Sequence, residues 1–257
     1  KGIDSTDYPD FPTPAQDNSI KIDNSLFCEM VDYVIYAVSQ DEKRPAHTGV
    51  LVKLENRKLT MVALDGYRLA VCEREVDFEG HFSMIVPAKA MNEVRKIVGD
   101  TDGKLTIFAN KRYIIFNAKE FIVLSRLLEG DYLDYNRFIS FTPTIEAVVN
   151  AREMASALDR TLLLTERYKS PVICTFENEV VRIRCNTNLG SFSEDLKIKY
   201  GYSKMEIAFN ARFMMDALRN AECDEVKLQF TTPLAPIKIV PMDGDDFTFL
   251  VLPVKMK

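Results

Sequence analysis

The chain repeats itself, and this internal duplication limits the open folds more than any other feature. Residues 24–38, NSLFCEMVDYVIYAV, place apolar side chains at helical spacing behind an Asp23-Asn24 cap. Residues 150–164, NAREMASALDRTLLL, do the same behind Asn150. Two strand-like segments follow each helix, TGVLVKLENRKLTMVALD and PVICTFENEVVRIRCNT, with hairpin tips expected at Glu55-Asn56 and Glu177-Asn178. SMIVPAKAMNEVRKIVGD in the first half then matches MEIAFNARFMMDALRNAE in the second, each a short strand running into an amphipathic helix. KLTIFANKRYIIFNAKEFIVLSRLLEG and KLQFTTPLAPIKIVPMDGDDFTFLVLPV close the two copies as trains of strands with short turns. The offset between matching segments drifts between about 120 and 130 residues, one domain length. The expected fold is therefore α+β, in tandem domains that each pack two helices on antiparallel β-sheet. The copies are expected to divide as 1–136, with a polar, Pro-rich linker over 1–19, and 137–257, the boundary falling within GDYLDYNRFISFTPTIEA at 130–147.

Composition excludes several classes. The 257 residues are 47% hydrophobic and 28% charged, which rules out wholesale disorder. No apolar run approaches the ~18 residues of a membrane helix. Cys28, Cys72, Cys174, Cys185 and Cys223 are far apart, lie mostly in apolar runs and form no C-x-x-C. Buried thiols in a reducing cytoplasm are the expectation. With His47 and His81 the only histidines, and no hydrolase, Walker A or zinc-protease motif, the chain is expected not to be an enzyme and to need no cofactor or metal. Carboxylates at Asp131 and Asp134, and at Asp243, Asp245 and Asp246, read as solvated turns; a metal-dependent hydrolase built on them is the remote alternative. The net charge of −5 means that any nucleic-acid contact must be a local basic surface on an acidic body.

Asp65-Gly66 interrupts an apolar strand, and the turn does not account for Tyr67, Arg68 and Leu69 directly after it. LDGYRLAV resembles the DG-[HY]-R-L-A segment of the bacterial DNA sliding clamps, the beta subunits of DNA polymerase III. DYPDFP is similar to the entry into the clamp's middle domain, RPAHTGVLV to the strand after its DNA-facing loop, GDYLDYNRF to the interdomain segment, and FLVLPVKMK to the C-terminal tail. The resemblance spans the chain in order and covers the middle and C-terminal domains of a three-domain subunit; the first domain has no counterpart. It implies a non-catalytic processivity factor in which two full-length subunits close head to tail as a homodimer ring around double-stranded DNA, bound without regard to sequence. It further implies partners that insert a short motif into a pocket between middle and C-terminal domains: the DNA polymerase III alpha subunit, the clamp loader and other proteins carrying that motif.

Carried over by motif position, the resemblance lines the peptide pocket with His47, Leu64, Gly66, Tyr67, Arg68 and Leu69. The interdomain segment adds Leu133, Arg137 and Phe138, and the second copy adds Asn210, Phe213, Leu234 and Pro236. The tail adds Val251, Leu252, Pro253, Val254, Lys255 and Met256. Leu69, Phe138, Leu252 and Val254 would receive apolar anchors, and Gly66 would admit a close backbone. Arg68, Arg137 and Asn210 would bond peptide carbonyls or a carboxylate. The chain departs from the pattern with Leu133 in place of proline, His47 for an aliphatic, Leu64 for Thr, Phe213 for Tyr, and the extra Lys257.

A sliding contact requires phosphate-directed cations on helix faces turned from the sheet. Lys89, Arg95 and Lys96 in the helix from Ala88, with Met91, Val94 and Val98 opposite, fit this pattern. So do Arg212 and Arg219 in the helix from Asn210, with Phe213, Ala217 and Leu218 turned inward, and, more loosely, Arg152 and Arg160. The first helix offers Glu29 and Asp32 instead, leaving Gln40, Lys43 and Arg44 in the loop after it as the DNA candidates there. Leu163 and Leu164, at the end of a three-leucine run, are expected to be partly exposed, because the family uses this region as the dimer interface. The alternative reading is a clamp-like peptide-binding module that works without DNA.

Overall fold

The computed structural model describes residues 2, 4, 19–99, 101–164 and 171–255. The expected linker over 1–19 lies, apart from Gly2, Asp4 and Ser19, outside the described residues, as do the proposed pocket residue Met256 and the terminal Lys257.

The first copy runs β1 (Ser19–Asp23), α1 (Asn24–Ile35), β2 (Gly49–Glu55), β3 (Lys58–Leu64), β4 (Arg68–Glu75), β5 (Phe82–Pro87), α2 (Ala88–Val98), β6 (Lys104–Ala109), β7 (Tyr113–Ala118) and β8 (Phe121–Arg126). A single helical turn, α3 (Asn136–Ile139), sits in the connection. The second copy repeats the order as β9 (Ile145–Asn150), α4 (Ala151–Leu162), β10 (Val172–Glu177), β11 (Val180–Thr187), β12 (Gly190–Lys197), β13 (Met205–Phe209), α5 (Ala211–Arg219), β14 (Glu225–Phe230), β15 (Ile237–Pro241) and β16 (Phe247–Val251).

Local chemistry explains these elements. In α2, Met91, Val94 and Val98 recur at helical spacing and are buried. Asn150 caps α4 by accepting the Glu153 N–H at 2.9 Å. The first helix lacks this device: Asp23 makes no side-chain cap, and α1 ends at Ile35 rather than 38. The hairpins β2–β3 and β10–β11 turn on Asn56-Arg57 and Asn178-Glu179, one residue later than the spacing suggested. All four turn residues have positive φ, between 51° and 63°, as a type I′ turn requires.

Each copy carries two sheets rather than one. In the first, strands order β1-β6-β7-β8 and β5-β2-β3-β4; in the second, β9-β14-β15-β16 and β13-β10-β11-β12. The copies are joined because β4 pairs antiparallel with β16, Arg68 opposite Val251 through Cys72 opposite Phe247, making one eight-stranded sheet. The paired helices α1 with α2, and α4 with α5, pack over the core. Cys28, Cys72, Cys174 and Cys185 are buried and Cys223 half-buried. No described helix is long and apolar enough to cross a membrane.

The outer faces of the two equivalent sheets differ. On β3, Leu59, Met61 and Ala63 face the main core, and Val62 and Leu64 are buried on the opposite side beneath the connection, with Leu51, Leu69, Val71, Tyr135 and Leu250. On β11, Val181, Ile183 and Cys185 face the core while Arg182, Arg184 and Asn186 are exposed. Val62→Ala is therefore expected to destabilise the chain by roughly 2 kcal/mol. The equivalent exposed change, Arg184→Val, should stay within about 0.5 kcal/mol. Urea denaturation of both variants checks the contrast.

Candidate peptide groove and helix surface

The turn between β3 and β4 is built by Asp65. Its Oδ1 accepts the N–H groups of Tyr67 (2.9 Å) and Arg68 (3.0 Å). Gly66 adopts φ +92°, the left-handed region, so its first requirement is the turn itself. This turn lies at the seam between the copies: the Leu252 N–H donates to the Tyr67 carbonyl at 2.9 Å, and the Tyr67 ring stacks on Phe213 of α5 at 5.8 Å.

Arg68 bolts the seam. Its Nε donates to Asp65 Oδ2 at 3.0 Å and its Nη1 to Asp216 Oδ2 of α5 at 2.6 Å. The guanidinium carbon lies 5.3 Å from the Tyr36 ring centroid and 4.8 Å from that of Phe213. With its side chain only 12% exposed, Arg68 is a junction residue whose guanidinium is engaged by Asp65 and Asp216. Phe213 is half-buried, packed against the core that holds Ala217 and Leu218 and also turned to this junction. Burial raises the Tyr36 hydroxyl well above its ordinary value, which keeps it neutral.

The remaining pocket residues separate into floor and rim. Leu64, Leu69 and Val251 are buried strand residues at 3%, 6% and 0% exposure, so Leu69 forms floor rather than receiving an anchor directly. Tyr67, Leu133, Phe138, Leu234, Leu252 and Val254 are exposed. Val254 is held by its N–H donating to the Ala208 carbonyl at 2.7 Å, and Pro253 bridges to Phe209. Pro236 and Pro253 are half-buried and Lys255 exposed. Asn210 caps α5, its Oδ1 accepting the Arg212 N–H at 3.0 Å. Arg137 is exposed and pairs with Asp134 at 2.8 Å.

The connection is fixed by groups that sequence reading did not single out. The Tyr132 hydroxyl donates to the Val62 carbonyl at 3.1 Å, Tyr135 is buried beside Leu69 and Leu250, and Lys238 Nζ donates to the Ile139 carbonyl at 3.2 Å. Burial lowers the Lys238 ammonium from its ordinary value. His47 meets Tyr132 edge to face at 5.6 Å, and burial, with Arg44 nearby, lowers its pKa. Asp65 and Asp216 were also missed; the Asp65-Gly66 pair carried a turn signal for the first, and no local pattern marks the second.

Gln40, Lys43 and Arg44 in the loop after α1, and Lys89 on α2, are exposed. The other candidate cations face carboxylates: Arg95 with Asp32 (2.7 Å), Lys96 with Glu93 (2.9 Å), Arg152 with Asp224 (3.4 Å), Arg160 with Glu194 (3.0 Å through Nε), Arg212 with Asp216 (3.9 Å) and Arg219 with Asp159 (3.0 Å). Arg152 and Arg219 line one cleft of about 480 Å³ between α4 and α5. The helices α1, α2, α4 and α5 hold seven basic and six acidic residues. Leu163 is 83% exposed and Leu164 half-buried. Among the described residues no group of three or more His, Cys, Asp or Glu is placed to hold a metal.

This fold, two α+β repeats fused edge to edge through a shared sheet, defines the class of DNA clamps. The sliding clamp of Bacillus subtilis superposes with a TM-score of 0.94 at 28% identity, covering 99% of this chain and 69% of that one. The beta subunit of DNA polymerase III from Thermotoga maritima gives 0.90 at 26%, covering 99% and 70%. The beta sliding clamp of Staphylococcus epidermidis is 31% identical over 258 residues, 99% of this chain and 68% of the relative. Residues 21–134 match the central domain of the DNA polymerase III beta subunit and residues 139–255 its C-terminal domain. The chain belongs to that family, the bacterial sliding clamps, which are non-catalytic processivity factors of DNA replication.

Two outcomes are expected at the seam. Arg68→Ala should cost about 3 kcal/mol, because it removes the cation paired with Asp65 and leaves Asp216 only the more distant Arg212 in a largely buried site; chemical denaturation measures it. The His47 ring should titrate below 6.5 by NMR. The folded chain favours the neutral ring, so the unfolded chain takes up the proton first as pH falls. This contribution to stability is complete above pH 6.5 and declines as pH drops through the folded value.

Proposed function

We propose that the seam between the copies is the docking groove for short linear motifs, through which the polymerase alpha subunit, the clamp loader and other motif-bearing proteins are tethered to double-stranded DNA. The observation that carries this reading is the gathering of Tyr67, Leu252 and Val254, exposed apolar groups held by backbone bonds, over the buried Leu69–Leu250 floor. Leu133, Phe138 and Leu234 extend it from the connection and the β14–β15 turn. An apolar peptide side chain would bury against Leu252 and Val254, while Lys255 and Arg137 at the rim would meet its polar ends. Tethering acts by effective concentration: a held polymerase rebinds its primer end before diffusing away.

Ring closure is part of the same reading. The edges β8 and β12 each pair on one side only among the described strands, and they are the repeat equivalents of β16 and β4, which pair at the seam. Phe121 and Ile122 on β8 are exposed, which suits pairing with a strand of a further repeat. Leu163 and Leu164 lie in the region proposed to face the neighbouring subunit of a homodimeric ring. A cytoplasmic site of action follows from this role.

The near balance of charge on the helices favours one second reading, a peptide-binding module that does not depend on DNA. Counterion release separates the two: a phosphate-tracking surface loses affinity for duplex steeply as salt rises, in proportion to the phosphates neutralised.

The decisive experiment titrates a fluorescent peptide of the Gln-x-x-Leu-Phe kind against the chain. Micromolar affinity is expected, lost on introducing Leu252→Asp with Val254→Asp, which sit on the surface and leave the Arg68 bolt intact. Binding that survives the double change would place the groove elsewhere, and no binding by the parent chain would remove the tethering role.

A further inference from the structure

The two copies fill their sandwiches differently. In copy two, Phe176 of β10, Tyr200 after β12 and Phe230 of β14 form an aromatic plug, with Phe176 5.9 Å from Tyr200 and 5.3 Å from Phe230, centroid to centroid. Strand register identifies the equivalents in copy one. The hairpins close with Glu55 opposite Lys58 and Glu177 opposite Val180, which matches Leu54 to Phe176. Asp23 opposite Lys104 answers Asn150 opposite Glu225, which matches Ala109 to Phe230. Phe78 and Tyr200 each stand three residues beyond the end of their strand. Copy one therefore has a leucine, a half-buried phenylalanine and an alanine where copy two has three rings.

Beside Phe78 and Ala109 lies a cavity of about 1160 Å³. Phe78, Phe82, Met84, Ile107 and Ala109 stand at its half-exposed entrance, and it reaches in to Phe27, Met61 and Met91. Its inner wall is apolar and its mouth, with Lys53, Glu79, Asn110 and Asp131, is polar and open, so the inner part suits an apolar guest. Its volume is that of a small-molecule pocket. The rim residues Glu79, His81 and Lys111 are exposed, and the cavity extends along the connection to Tyr132, Leu133 and Tyr135.

We propose that copy one carries a binding pocket for a small uncharged aromatic molecule of one or two rings, seated between β5 and β6 where Phe230 sits in copy two. The second copy supplies the template: the same backbone register already encloses a phenyl ring there. The proposed seat, at Ala109 and the copy-one methionines, shares no residue with the proposed peptide groove, although the cavity reaches Leu133 and Tyr135 at the groove's border.

Indole is the probe, titrated into the chain with isotope-labelled methionine methyls. Saturable shifts are expected at Met61, Met84 and Met91, and none at Met214 and Met215 in copy two. Ala109→Phe should melt above the parent chain and lower the affinity for indole by about tenfold or more. Should that variant not fold, Ala109→Leu is read in the same way. Absence of saturable shifts at the copy-one methionines overturns the proposal, as do shifts that persist unchanged once position 109 is filled.

Discussion

The antiparallel pairing of β4 with β16 is the constraint on which the remainder of the molecule depends. It turns two sandwiches into one eight-stranded sheet, so the copies are fixed by a ladder of backbone hydrogen bonds. Everything at the seam follows from that ladder. Leu69 comes opposite Leu250 and supplies the floor; Arg68 comes opposite Val251 and reaches across to Asp216 of α5. A salt bridge this buried gains its strength from geometry, and the strand pairing provides that geometry. The tail is drawn along the same edge, which leaves Leu252 and Val254 exposed beside Tyr67.

The repeats share topology and register and differ in what covers or fills them. Copy one needs the connection with Tyr132 and Tyr135 to shield Val62 and Leu64; copy two has exposed, polar Arg184 and Asn186 at the same positions. Copy two packs rings where copy one leaves space. The helices show a third divergence, since α1 contributes only Glu29 and Asp32, and Asp32 takes up Arg95 of α2. Duplication preserved the frame while side-chain chemistry drifted by location.

The duplication, the helices and most strands were legible in sequence because hydrophobic periodicity is local. The division of each copy into two sheets was not, because it depends on pairings such as β1 with β6 and β2 with β5, which no local pattern records. Of the residues that motif position assigns to the proposed groove, Tyr67, Phe138, Leu252 and Val254 are exposed. Leu64, Leu69 and Val251 are buried, a difference the sequence does not carry, since the apolar signature is the same whether such residues line a groove or sit beneath it. Asp216 escaped because its partner lies 148 residues away. The basic helix faces were read correctly for spacing, yet spacing does not reveal that carboxylates from neighbouring elements stand opposite.

The contrast between the two faces of β3 and β11 means that the repeats have addresses. A gene rearranged to encode the second copy ahead of the first would place the tyrosine-bearing connection over Arg182 and Arg184, which have no use for it, and would leave Val62 and Leu64 bare to water. The order of the copies along the chain is thus written into one strand of each, as a choice between valine-leucine and arginine-asparagine, and shuffling would yield a sticky surface rather than an equivalent protein.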